Sequence, residues 1–132
     1  PSDYSRIMLT DTAENITQKI KKAKTDPQPL PSSKEDLEKR PEAENLISIF
    51  ASLQNSSIEN VISEYAGKEF SDFKQDLIDL SVSKLSPITT EMNKLMTDTS
   101  YIDSILNDGK DRAINVAEPV LRKTKEIIGF LS

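Results

Sequence analysis

Along most of the chain apolar residues recur every three or four positions, the spacing of one face of a helix. Ala13, Ile16, Ile20 and Ala23 predict a helix over about 12–23, with Asp11 as its N-cap. Lys19, Lys21, Lys22 and Lys24 fall in its last turn, where cations complement the negative end of the helix dipole. The pattern then breaks over residues 25–41, which carry Pro27, Pro29, Pro31 and Pro41. Proline removes a backbone donor and disfavours helix in the residue before it, so this stretch reads as a linker or long loop, with room for a turn of helix in the acidic-basic run Lys34 to Arg40. Helical spacing resumes with Leu46, Ile49, Phe50 and Leu53. Ser56-Ser57-Ile58-Glu59 reads as a capping box opening a short helix with Val61, Ile62 and Tyr65. Gly67 stands where a left-handed residue ends such a helix.

Ser71 is the expected cap of a long helix over about 72–97, with a stripe of Phe73, Leu77, Leu80 and Leu85. The stripe continues past Pro87 through Ile88, Met92, Leu95 and Met96, which predicts a kinked helix rather than two. Tyr101, Ile102, Ile105 and Leu106 predict another short helix, Gly109 a bend, and Ala113 to Ile127 the last helix, ended by Gly129. No alternating apolar–polar run bounded by turn residues occurs. The expected fold is all-α, a helical bundle of about five to six helices including one long kinked helix.

Composition narrows what such a bundle can do. The 132 residues include no histidine, cysteine or tryptophan. A Ser-His-Asp triad, a Cys-His pair, a disulfide and an imidazole- or thiolate-bound zinc are all excluded. Apolar residues make up 36% and glycine adds only three positions. A soluble domain has roughly 45–50% on that count, so the core is thin. No run of apolar residues is long enough to span a bilayer, and the N-terminus lacks the pattern of a secretory signal. The sequons at Asn15 and Asn55 are therefore read as chance matches. The expected location is cytoplasmic, with no membrane partner.

Little could carry catalysis. Asp76 and Asp79 share a helix face and could hold Mg²⁺ or move a proton, but on an acidic helix they read first as solvated surface. No catalytic, cofactor-binding or metal-binding residue is assigned. Charge is spread unevenly. Residues 1–24 have five basic and three acidic groups (+2), residues 25–108 seven and sixteen (−9), and residues 109–132 five and three (+2). Clustered cations are what a nucleic acid would need, although on charge alone dipole complementarity at helix ends is the favoured explanation.

One resemblance carries the reading further. Ser5-Arg6-Ile7-Met8-Leu9-Thr10-Asp11, followed by Lys19-Ile20-Lys21-Lys22-Ala23, resembles the stretch just after the Lys-Met-Ser-Lys-Ser loop of bacterial tryptophanyl-tRNA synthetases. Arg40-Pro41-Glu42-Ala43-Glu44-Asn45-Leu46 resembles that family's Arg-Pro-x-x-x-Asn-Leu helix start. Tyr65-Ala66-Gly67-Lys68, Phe73-Lys74, Tyr101-Ile102-Asp103, Asn107-Asp108-Gly109 and Ile128-Gly129-Phe130 resemble further steps in the same order. The Pro27 to Pro31 run departs from shorter family members.

The resemblance implies an all-helical tRNA-anticodon-binding region over 42–132, preceded by residues 1–41 as the segment that follows the catalytic loop. It implies a cut piece whose parent joins tryptophan to its tRNA using ATP and Mg, while this stretch holds no cofactor and is not catalytic alone. The His-Ile-Gly-His-type motif of class I synthetases cannot be here, because there is no histidine. Implied partners are tryptophan tRNA, the missing catalytic domain and, for the parent, a second copy of itself. Arg112, at a basic position after the family's Asp-Gly step, is the first candidate for tRNA contact, with Lys110 beside the expected 106–109 bend. Lys84, Lys94, Arg122 and Lys123 are secondary candidates. Phe73 and Phe70 could stack on bases, but Phe73 lies on the core stripe. Ile7, Leu9 and Ile16 are expected to be partly exposed where the catalytic domain would pack. The alternative is a stand-alone helical protein–protein interaction module.

Overall fold

The structure is a computed structural model that describes residues 2–130. It is all-α, as expected. A 3₁₀ turn at Asp3–Ser5 precedes α1 (Ala13–Lys22), α2 (Lys34–Leu37), α3 (Pro41–Gln54), α4 (Ile58–Tyr65), α5 (Phe70–Thr97) and α6 (Thr99–Ile127). No strand occurs among the described residues. Packing divides the described residues into two units, 2–92 and 93–130, with the division inside α5.

The first unit holds one apolar core. Ile16 and Ile20 of α1, Leu46, Ile47 and Phe50 of α3, Val61 and Ile62 of α4, and Phe73, Leu77 and Ile78 of α5 are all buried. At its centre three rings meet, with Phe50, Tyr65 and Phe73 at centroid distances of 4.9–5.3 Å. Two of the three contacts are edge-on, the arrangement aromatic quadrupoles favour. Phe73 and Phe70 are core residues and offer no face to a base. Of the residues expected to be partly exposed, Leu9 is exposed and Ile7 half-buried, but Ile16 is sealed in the core between α1 and its neighbours.

The stretch read as a linker is packed into this core. Leu30 and Leu37 are buried. The Leu30 amide donates to the Lys68 carbonyl at 2.9 Å, and the Gly67 amide donates to the Leu30 carbonyl at 3.0 Å. The Leu30 amide thus bonds across the fold, while the amides of Gln28, Asp36, Leu37, Glu38, Lys39 and Arg40 bond within the stretch. Gly67 ends α4 as expected, in the left-handed region at φ 72° just after the Ala66 cap. With the Lys68 amide bonded to the Tyr65 carbonyl, it takes the third position of a Tyr65–Lys68 turn, which requires positive φ.

Several caps shift by one residue. Thr12, not Asp11, caps α1 by accepting from the Asn15 amide at 3.2 Å. Asp11 instead accepts from the Met8 amide at 2.8 Å and pairs with Lys19. Ser57, not Ser56, caps α4, and Glu59 turns outward to Lys34 at 3.4 Å instead of closing a box. α5 starts at Phe70, so Ser71 lies within its first turn. Pro87 sits inside α5 and the helix runs on to Thr97, but the apolar stripe is buried only on the N-terminal side. Ile88 and Met96 are exposed.

In the second unit α6 is continuous from Thr99 to Ile127, through both Gly109 and Pro119. The expected bend at Gly109 and the two separate helices are not present. Glycine costs about 1 kcal/mol against alanine in a helix, too little to break one with good residues on both sides. Gly129 at φ 79° does end it. The Gly129 amide donates to the Glu126 carbonyl and the Phe130 amide to the Lys125 carbonyl, the paired bonds of a Schellman motif.

Candidate nucleic-acid interface

The six basic candidates divide between two helices. Lys84 is on the part of α5 within the first unit; Lys94, Lys110, Arg112, Arg122 and Lys123 are in the second. All six are exposed. Because α6 is unbroken, Lys110 and Arg112 do not stand beside a helix end, and the backbone amides around them are spent within the helix. The anion-binding geometry expected of a bend is absent at this point.

What α6 does provide is a ladder. At about 100° per residue, Arg112 and Lys123 project within about 20° of each other, separated by about 16 Å along the axis. Lys110 lies about 160° away from Arg112, and Arg122 about 80° to the other side. The structure therefore aligns Arg112 with Lys123 and separates Lys110 and Arg122 from them. Arg112 is only loosely engaged, its Nη1 lying 3.8 Å from Asp108 Oδ2 with both side chains exposed. Such a pair contributes little and releases the guanidinium readily. Between the Arg112–Lys123 edge and Lys110 runs a stripe of Ile105, Leu106, Val116, Val120 and Ile127, each more than half exposed. An exposed apolar stripe edged by cations suits bases on its face and phosphates at its borders.

Other charged side chains turn out to be structural. Arg40, in the Arg-Pro step, grips Asp26 with Nε and Nη2 and donates from Nη1 to the Pro29 carbonyl at 2.7 Å. Its guanidinium lies 5.8 Å from the Phe70 ring centroid. The Arg40 hydrogen bonds hold the Asp26 carboxyl below the usual carboxylate range. Lys74, in the Phe-Lys step, donates to the Lys21 and Ala23 carbonyls at 3.3 and 2.6 Å and closes the C-terminus of α1. Burial lowers the pKa of its ammonium. Neither role was visible in the spacing. Only the charge types, a lone Asp before prolines and a Lys beside a core Phe, could have hinted at them.

Asp76 and Asp79 do not form a site. Asp76 accepts from the Tyr65 hydroxyl at 2.9 Å and Asp79 from Gln75 at 3.2 Å. Burial first, then the Asp76 carboxylate, pushes the Tyr65 hydroxyl pKa up. Among the described residues no acidic group has the makings of a metal site, and no helix is long and apolar enough to cross a membrane.

Comparison with known proteins agrees with the resemblance. The family model for tRNA synthetases class I (W and Y) matches residues 1–86. A tryptophan–tRNA ligase of Rhizobium meliloti (strain 1021) is 56% identical over 131 residues, covering 99% of this chain and 37% of that protein. Those of Brucella melitensis biotype 1 and Caulobacter vibrioides are 50% and 47% identical, over 99% and 98% of this chain and 37% and 38% of theirs. The chain thus spans little more than a third of the length of these relatives.

Proposed function

This chain belongs to the tRNA synthetases class I (W and Y), and on that premise we propose that it is the tRNA-binding helical part of a tryptophan–tRNA ligase. The observation that carries the reading is the near-complete alignment of the chain with tryptophan–tRNA ligases at 47–56% identity. In this reading residues 42–132 bind the anticodon region, and residues 1–41 join them to the catalytic part of the parent. Adenylate chemistry with ATP and Mg belongs to that part, in the cytoplasm, in a parent that pairs with a second copy of itself. The absence of histidine supports this division of labour, since the His-containing ATP motif of the class has no place in these residues.

Single-stranded anticodon bases are read by stacking and edge hydrogen bonds, with cations holding the backbone. Arg112 and Lys123 supply two phosphate contacts on one side of α6, and the adjoining apolar stripe supplies the surface for the bases. Lys110, Arg122, Lys84 and Lys94 contribute general attraction. A stand-alone protein–protein module accounts for none of the aligned identity.

Titration of the chain with tryptophan tRNA and with a non-cognate tRNA across roughly 50–200 mM salt tests the reading. Tighter binding of tryptophan tRNA is expected, with the preference following the anticodon when it is moved into the other tRNA. Equal binding of both tRNAs by the folded chain would overturn it.

A further inference from the structure

A second candidate site lies wholly within the 2–92 unit and does not depend on the tRNA reading. The Tyr4–Leu9 stretch, α1, α3 and α5 enclose a cleft of about 380 Å³. That falls in the ~300–1,000 Å³ range of small-molecule sites. Its walls are mostly apolar, with Ile20, Leu46, Leu53, Leu77 and Leu85.

Ser81 of α5 also lines the cleft and is 0% exposed. Among the described residues its Oγ is the buried side-chain atom left without a hydrogen-bond partner. Two turns further along the same face, Thr89 shows the usual solution, donating to the Leu9 carbonyl at 2.7 Å. Ser81 caps no helix and bridges no elements, so the fold gains nothing from its hydroxyl. A buried hydroxyl without a partner costs about 1–3 kcal/mol, and alanine would avoid that cost. Such a group needs an explanation, and a ligand that completes the bond is one.

Of the rim cations, Lys19 is paired with Asp11, while Arg6, held only loosely 3.8 Å from Asp3, is more than half exposed and stays in solvent. The apolar interior of the cleft holds no unpaired charge to meet an ionised ligand, whose burial would be costly. We propose that the cleft binds a small uncharged molecule with an apolar body and one hydrogen-bonding group that displaces the side chains covering Ser81 and engages its Oγ.

Phenol and benzene are the matched probes, one ring with and without a hydroxyl. Titrated into the methyl-labelled chain and followed by NMR, phenol is expected to shift the methyl signals of Ile20, Leu46, Leu53 and Leu85. Ser81→Ala should weaken phenol about fivefold, the worth of one hydrogen bond, and leave benzene within about twofold. Ile49→Trp, at the half-exposed rim, should block both. Unchanged phenol affinity in Ser81→Ala would make the cleft a plain packing defect and overturn the proposal. So would phenol binding that survives Ile49→Trp, or shifts confined to methyls elsewhere.

Discussion

Arg40 holds Asp26 through two parallel bonds, Nε to Oδ2 at 2.9 Å and Nη2 to Oδ1 at 2.6 Å. The pair joins residues fourteen positions apart and anchors the proline-rich stretch at the start of α3. Arg40 is only 10% exposed and Asp26 27%, so the bond is poorly screened. Arg40→Ala is expected to cost about 2–3 kcal/mol, measured by urea unfolding. Arg40→Lys should recover little, because an ammonium cannot make the fork. A double-mutant cycle with Asp26→Asn should show strong coupling. Additive losses would mean that the two residues act separately.

The same aspartate makes the fold acid-sensitive. Its pKa is held below the ordinary value of 3.8 by Arg40, and that of Asp11 is also lowered, with the Lys19 and Met8 hydrogen bonds outweighing burial. A depressed native pKa means the unfolded chain binds more protons. The contribution is therefore present above the ordinary value and is lost as pH falls through the native one. Melting temperature should drop steeply below about pH 4, and less steeply in Asp26→Asn. Parallel profiles for the two proteins would remove Asp26 from the explanation.

Two glycines should respond in opposite directions to alanine. Gly67 sits at φ 72°, and an added Cβ would meet nothing within 4 Å, so the cost is backbone strain alone. Gly67→Ala should destabilise by about 1–2 kcal/mol. Gly109 is helical and equally open. Gly109→Ala should raise helicity and stabilise α6 by about 0.5–1 kcal/mol, read by circular dichroism. A loss of helicity there would indicate a bend at Gly109 after all.

On α6, Arg112→Ala and Lys123→Ala should each weaken tRNA binding and each lower the salt slope by about one. Their neighbour Arg122 faces elsewhere, and Arg122→Ala should change the slope by less. Equal effects at all three positions would show that α6 acts as a diffuse cation and not through one edge. Wild-type binding in Arg112→Ala would dismiss the first-ranked contact.

Most of the helices were legible in the sequence because helix formation is local. Period, caps and proline positions place α1, α3, α4 and α5 to within a residue or two, and the burial of Leu46, Phe50 and Phe73 follows from their stripes. The candidate interface was legible only as a set of cations. Which of them align depends on whether α6 is one helix or two, and Gly109 decided that by about 1 kcal/mol, a margin local pattern does not resolve.

Tertiary structure alone decided what the irregular residues do. The bonds from Arg40 to Asp26, from Lys74 to the end of α1, and between Leu30 and the Gly67 turn span 14 to 53 positions in the chain. Contacts of that kind leave no periodic trace, since a charge or a buried leucine in a proline-rich run looks the same whether it packs or not. The helices were therefore written in the order of apolar and polar residues. The conversion of residues 25–40 from apparent linker to packed wall, and the orphaned Ser81 hydroxyl beside its cleft, arise only when distant segments close over one core.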